Sequence, residues 1–121
     1  MHVTLTGLRN GNGQVLACLT ALPAAFPDCK SDPHARHLTA PAAKGTVVMV
    51  FPPVAAGTYA ISLFHDENSN GRLDKMMMLP REGFGFSRNA PVRFGPPRFP
   101  AAAFPVSGAP INEDIRIRYM F

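Results

Sequence analysis

The residues best suited to chemistry lie in HDENSNGRLD, residues 65–74. Side chains that carry oxygen recur at alternate positions, and Gly71 follows them and permits a sharp turn. In a tight loop such side chains converge on one point, and calcium takes roughly six to eight oxygen ligands of this kind. The predicted calcium ligands are Asp66, Asn68, Asn70, the backbone carbonyl of Arg72, Asp74 and, from further along the chain, Glu82.

The loop is not an EF-hand, because Met77 occupies the position of the bidentate glutamate and a strand pattern precedes the loop. The alternative to a metal site is a turn that satisfies its own polar groups. Asp and Asn side chains form hydrogen bonds with nearby backbone, and the Asn70-Gly71 step forms turns without any ion. A hydrogen bond from the Gly71 or Arg72 amide to Asp66 would favour the turn.

Two other groups of residues suggest softer metal sites. His34 and His37 with Cys29 offer nitrogen and sulfur to zinc or copper, although a second cysteine pair is missing. The run Met76–Met78 near His65 offers thioethers, which Cu(I) prefers. The alternatives are an exposed polar loop in the first case and a partly buried loop or partner contact in the second.

The catalytic alternative is a small metal-dependent hydrolase that uses His65, Asp66 and Glu82. As a nucleophile, Ser87 near His65 or Asp66 would need a third residue and an oxyanion hole, and the sequence contains no motif for either. No glycine-rich phosphate loop is present. The sequence therefore favours a protein that is not an enzyme.

Short strands joined by turns must position these residues. Apolar and polar residues alternate in residues 2–8, 13–20, 58–64 and 111–121, and residues 45–51 are an apolar run of strand length. Further short strands are expected near 36–38, 84–87 and 100–106. The Asn-Gly steps in residues 9–13 predict a hairpin between the first two strands. The alternation in the last segment predicts a half-buried antiparallel strand.

Composition limits the class of protein. A hydrophobic fraction of 46% with 17% charged residues fits a folded chain, and thirteen prolines and ten glycines leave little room for long helices. The net charge of +4 is spread over loops, which argues against nucleic-acid binding, and no run approaches the roughly 20 apolar residues of a membrane helix. We expect residues 1–121 to form one all-β domain, an antiparallel sandwich of about seven strands with a long loop region after residue 65.

Cys18 and Cys29 are the two cysteines of the chain. An even count in a small β-rich chain favours a disulfide, and the residues between them have the composition of an exposed loop. Two reduced thiols in a cytosolic protein are the alternative.

Several motifs taken together resemble a bacterial family called domain of unknown function 2141. They are Pro53–Ala60 (PVAAGTYA), residues 65–74, Pro80–Ser87 (PREGFGFS), the phenylalanine-rich Phe99–Phe104 and the closing Ile115–Tyr119 (IRIRY). The resemblance covers nearly the whole chain. It implies a sandwich similar to the transthyretin-like and carboxypeptidase-regulatory-like domains, within the Ig-like or transthyretin-like class expected above, and export to the periplasm or secretion, which strengthens the disulfide prediction. It implies no assigned enzyme activity.

By analogy with calcium loops of adhesin sandwiches, the resemblance also implies Asp66, Asn68, Asn70 and Asp74 as ligands. The expected function is a non-enzymatic binding or structural module of the cell envelope. Its partner would be an unidentified protein or carbohydrate, with calcium as the one cofactor. No export signal precedes the first strand pattern, so we expect that signal to be absent from this sequence.

Overall fold

The computed structural model describes residues 1–69, 83–93 and 95–119, together with the backbone of 75–76 and 79–80. The elements in chain order are β1 (His2–Leu8), β2 (Gln14–Thr20), a 3-10 turn (Pro23–Ala25), β3 (Arg36–Pro41), β4 (Gly45–Val50), β5 (Gly57–Asp66), β6 (Lys75–Met76), β7 (Leu79–Pro80), β8 (Gly83–Phe86), a second 3-10 turn (Ser87–Asn89), α1 (Phe99–Ala102), β9 (Phe104–Val106) and β10 (Asn112–Arg116). The prediction of an all-β fold is confirmed.

Two sheets form the layers of a sandwich. One has three strands in the order β10–β1–β4, and the other has the order β3–β2–β5–β8, with β9 beside the first residues of β5. The short strands β6 and β7 pair only with each other among the described elements. The sandwich that the sequence predicts is therefore present, with more strands than expected.

The predicted hairpin between β1 and β2 is wrong. β1 pairs with β4 and β10, whereas β2 pairs with β3 and β5, so residues 9–13 carry the chain from one sheet to the other. Gly13 makes this crossing with φ +69°, and a Cβ there would collide with the carbonyl of Asp66. The Asn-Gly steps indicate a sharp change of direction, which serves a crossing between sheets as well as a hairpin.

The last strand also differs from its prediction, because β10 runs parallel to β1. Two residues after β10 ends, the chain reaches the other sheet, where Phe84 and Arg118 exchange backbone hydrogen bonds of 3.0 and 2.9 Å. Alternation of apolar and polar residues reports which face of a strand is buried, and it carries no information about the direction of the neighbouring strand. The closing segment thus joins both sheets.

Apolar side chains from the facing sides of the two sheets fill the main core. The largest fully buried members are Phe51, Leu5, Leu19, Ile61 and Ile115. Full burial of a side chain of this size contributes about 1.5–3 kcal/mol to the free energy of unfolding. This core holds the two sheets together.

A second apolar cluster lies on the other face of the five-stranded sheet. The two phenylalanines of β8 pack there with Phe99 and Ala102 of α1. Phe26, from the loop after β2, lies 5.8 Å from the Phe86 ring centroid and 6.2 Å from that of Phe99. The region after residue 65 is therefore only in part the long loop that was expected, because β8 extends the sheet and α1 packs on its outer face.

The glycines of β8 permit close packing against the end of the chain. A Cβ at Gly85 would lie 2.7 Å from Cγ2 of Ile115, and a Cβ at Gly83 would collide with the ring of Tyr119. Phe84 and Phe86, which alternate with these glycines, belong to the outer cluster. The GFGF pattern of the family motif is thus a packing pattern, with phenylalanine on one face and glycine beneath the closing segment.

Candidate functional site

His65 is fully buried near the end of β5 and makes two hydrogen bonds. Its Nε2 lies 2.6 Å from the carbonyl oxygen of Asn12, and its Nδ1 lies 2.8 Å from the phenol oxygen of Tyr119. A carbonyl can only accept, so Nε2 donates to Asn12; in the neutral imidazole Nδ1 then accepts from the Tyr119 hydroxyl. The Tyr119 oxygen in turn accepts from the backbone N–H of Arg9 at 3.0 Å.

These four residues, Arg9, Asn12, His65 and Tyr119, form what we call the histidine network. Burial raises the pKa of Tyr119, so the phenol keeps its proton and remains a donor to His65. A neutral histidine whose two ring nitrogens both have protein partners offers no lone pair to a copper ion or a substrate. The copper and hydrolase hypotheses each require a free nitrogen on His65, whereas both of its ring nitrogens have protein partners that fasten β5 to the crossing segment and to the end of the chain.

Charged residues flank the histidine network. Arg9 donates from Nη2 to Oε1 of Glu67 at 2.5 Å and from Nε to Oε2 at 3.1 Å, and Asn10 donates to the same Oε2 at 2.7 Å. The bonds from Arg9 hold the pKa of Glu67 below its usual value. The Arg9 guanidinium also lies 4.3 Å from the centroid of the Tyr119 ring. Glu67, which the sequence analysis did not single out, thus fastens the start of the loop.

Asp66, the first of the predicted calcium ligands, is fully buried. Its Oδ2 accepts a hydrogen bond of 3.0 Å from the Gln14 side chain, and its carbonyl accepts one of 3.2 Å from the amide of Ser69. Ser69 has φ 53°, so the chain turns sharply directly after β5. Asn68 lies in this turn and is exposed.

The remaining predicted ligands, Asn70, Arg72, Asp74 and Glu82, lie outside the described residues, and so do Met77 and Met78. In the part of the chain that is described, no three His, Cys, Asp or Glu side chains form a group that could hold a metal ion. The calcium loop therefore stays a prediction, as does the self-satisfied turn.

Ser87 is fully buried and its hydroxyl bonds to backbone on both sides. Its Oγ accepts from the amide of Ile61 at 2.9 Å and donates to the carbonyl of Ala102 at 2.5 Å. β8 pairs with the second half of β5 and β9 with the first three residues, so Ile61 lies in the gap between these partners. Ser87 fills that gap, and its hydroxyl is not available as a nucleophile.

Cys18 and Cys29 form the predicted disulfide, with Cα atoms 6.5 Å apart. The bond ties the loop that carries Phe26 to β2, and the Ser62 hydroxyl donates to the carbonyl of Pro27 in the same loop. It also removes Cys29 from the zinc or copper hypothesis with His34 and His37, because metals bind the thiolate form of cysteine.

Sequence reasoning missed a cleft at the other end of the sheet, where β2 ends and β3 and β5 begin. It has a volume of about 230 Å³, and its lining includes Leu19, Asp32, His34, Arg36, Val54 and Tyr59. His34 and Arg36 are exposed, and Asp32 and Tyr59 are half-buried. The alternation of Asp32, His34 and Arg36 directly before a strand is the signal that could have found it.

Hydrogen bonds fix the walls of this cleft. The Thr20 hydroxyl donates to Oδ2 of Asp32 at 2.5 Å, and the amide of His34 donates to Oδ1 at 2.8 Å. The bond from Thr20, followed by that from His34, lowers the pKa of Asp32, so this carboxylate stays ionised at neutral pH. The Tyr59 hydroxyl donates to the carbonyl of Ala55 at 2.7 Å, which anchors the opposite wall.

Comparison with models of protein families identifies the family of this chain. The family model described as "Uncharacterized protein conserved in bacteria (DUF2141)" matches residues 3–113. The chain belongs to this family. Comparisons with curated proteins and with solved structures found no match.

In this DUF2141 chain, four of the described motif residues have roles in packing or internal hydrogen bonding. Gly83 and Gly85 admit the closing segment, His65 joins β5 to Asn12 and Tyr119, and Ser87 completes the pairing of β5. No helix in residues 1–69, 83–93 or 95–119 has the length and apolar character needed to span a membrane.

Proposed function

We propose that this chain is a non-enzymatic binding module that acts outside the cytoplasm, and that its ligand site is the cleft beside β3. The cleft carries the proposal, because it gathers Asp32, His34, Arg36 and Tyr59 around one space. The buried motif residues His65 and Ser87 bond to other parts of the protein, which supports a role for these two residues other than base or nucleophile. The disulfide supports an oxidising compartment.

The chemistry of the cleft suits a carbohydrate. Sugar hydroxyls both donate and accept hydrogen bonds, and the cleft offers an ionised acceptor at Asp32 and cationic donors at Arg36 and, when protonated, His34. The half-buried ring of Tyr59 provides an apolar surface for the C–H face of a sugar. The volume of about 230 Å³ is below the roughly 300–1,000 Å³ of drug-sized sites, which fits one sugar unit at the end of a glycan.

Chemical-shift mapping of the ¹⁵N-labelled, oxidised protein tests this proposal. We expect one of a panel of neutral, N-acetylated and acidic sugars to shift the amides of residues 19–21, 32–36 and 54–59 at millimolar concentration. Arg36→Ala removes a charged donor, for which the hydrogen-bond contribution of about 1.5–3 kcal/mol predicts affinity about tenfold weaker or more. Arg98→Ala is the matched control, because Arg98 is exposed and does not line the cleft.

Two results would contradict the carbohydrate proposal. One is that no sugar in the panel shifts any amide. The other is that the shifts map to a different part of the surface and respond equally to Arg36→Ala and Arg98→Ala.

A calcium-stabilised loop at 66–74 is the second candidate function. It is favoured by the position of Asp66, whose buried carboxylate is oriented by Gln14 where the loop leaves β5. Calcium that binds the folded state must raise the melting temperature as its concentration rises. Asp74→Asn should reduce that shift. A melting temperature that does not change between chelator and millimolar calcium would rule the candidate out.

A further inference from the structure

β4 (Gly45–Val50) is an edge strand whose outer side has no partner within the described residues. Backbone hydrogen bonds of 2.9 and 3.2 Å join Phe51 to Met1 on the β1 side. In an antiparallel pair, residues that point their N–H and C=O at the neighbour alternate with residues that point them away. The backbone groups of Val48 and Val50 therefore point to the open edge, and the same alternation places those of Thr46 there, opposite the register shift in β1.

The side chains along the same edge are apolar and exposed. Val48 is 57% exposed and Val50 52% exposed, on the outer face of the three-stranded sheet. Residues 45–51 contain no charged residue and no proline. Natural edge strands usually carry charges, prolines or bulges that prevent pairing with another chain.

An edge strand of the other sheet provides a contrast within the molecule. β3 is the edge strand of the five-stranded sheet, and it carries Arg36, His37 and Pro41. These residues are of the kinds that prevent pairing between edges. Of these two edge strands, only β4 has the features of a strand that can pair with a strand of another chain.

We propose that β4 forms the interface of a symmetric homodimer, in which β4 strands of two copies pair antiparallel and join the two three-stranded sheets into one sheet of six strands. An antiparallel register centred on Val48 places Val48 opposite its own copy and Thr46 opposite Val50 of the second copy. Every outward N–H and C=O of the three residues is then paired.

Charge placement also fits a second copy of this chain. In the register centred on Val48, Lys44 lies opposite Pro52 of the second copy. The two Lys44 residues are then about 27 Å apart, at about 3.4 Å for each strand residue. This separation exceeds the screening length of about 8 Å at physiological ionic strength, so the cations do not repel the pairing. Pro41 before β4 and Pro52 after it limit the paired segment to this self-complementary stretch.

Sedimentation velocity over a range of concentrations tests the proposal with the oxidised chain. We expect the wild type to approach twice the monomer mass of 13.1 kDa at high micromolar concentration. Val48→Lys places two cations side by side at the symmetry axis and should raise the dissociation constant of the dimer about threefold to tenfold, because it replaces an apolar pair by like charges directly opposite each other. Leu22→Lys is the control, since Leu22 is 41% exposed and lies outside the strands.

A cysteine at the centre of the interface gives an independent measurement. The chain has no free cysteine, so Val48→Cys introduces a single reactive thiol. Hydrogen-bonded residues opposite each other have Cα atoms about 5.5 Å apart, which is within the range of a disulfide. We expect rapid oxidation of Val48→Cys to a covalent dimer and little dimer from Leu22→Cys. A monomeric wild type, or a dimer that Val48→Lys leaves intact, would overturn the proposal.

Discussion

Replacement of Ser87 by alanine tests whether the serine of the GFGFS motif is a structural residue. Its hydroxyl accepts from the amide of Ile61 and donates to the carbonyl of Ala102, and all three residues are fully buried. Alanine removes both bonds. Because the site is buried, water does not replace them at the Ile61 amide and the Ala102 carbonyl.

The expected cost follows from the two groups that lose their partner. A buried donor or acceptor without a partner costs about 1–3 kcal/mol. The amide of Ile61 should incur most of this penalty, and the Ala102 carbonyl less, because carbonyl oxygens tolerate incomplete satisfaction better. We therefore expect Ser87→Ala to lower the free energy of unfolding by about 2–4 kcal/mol, out of a total of about 5–15 kcal/mol for a domain.

Equilibrium denaturation of the oxidised protein measures this change. The chain has no tryptophan, so far-ultraviolet circular dichroism is the appropriate signal. Ser107→Ala is the matched control, because Ser107 is exposed and should change stability by less than about 0.5 kcal/mol. Ser87→Cys keeps a weak donor and should fall between the two. If Ser87→Ala is no less stable than Ser107→Ala, the argument that Ser87 completes the pairing of β5 is refuted.

Three further predictions concern packing, covalent structure and pH. Gly83→Ala should destabilise by about 1–3 kcal/mol because its methyl group collides with the closing segment, whereas Gly57→Ala, with room for a Cβ, should have a smaller effect in the same denaturation assay. Replacing Cys18 and Cys29 together by alanine should cost about 2–4 kcal/mol, and equal midpoints for the variant and the oxidised wild type would contradict this. Because the pKa of Glu67 is lowered in the folded state, its ionised carboxylate contributes to the free energy of unfolding. This contribution is complete above the unfolded pKa of 4.5 and is lost as the pH falls through the folded pKa. Glu67→Gln should therefore remove that part of the pH dependence, and an unchanged stability difference between pH 6 and pH 3 would refute it.

The strands could be predicted from sequence because their apolar residues alternate or run together over strand length. β1, β4, β5 and β8 begin and end within about two residues of their predicted bounds, and the disulfide between Cys18 and Cys29 was also expected. Each of these features depends on residues close together in sequence or on residue type alone.

The pairing of strands could not be predicted in the same way. The step at residues 9–13 has the composition of a hairpin turn, yet β1 and β2 lie in different sheets, and β10 is parallel to β1. Pairing is decided by contacts between residues far apart in sequence, such as Thr6 with Arg116, which no local pattern reports.

The sequence by itself determined the fold class, the positions of the main strands and the family to which the chain belongs. It also singled out His65 and Ser87, but their roles were decided by the tertiary structure. Both ring nitrogens of His65 are paired because Asn12 and Tyr119 reach it from distant segments, and Ser87 is buried because β8 and β9 leave a gap beside Ile61. A side chain's chemistry depends on which of its atoms remain available after packing, and only the three-dimensional arrangement of the partners fixes that.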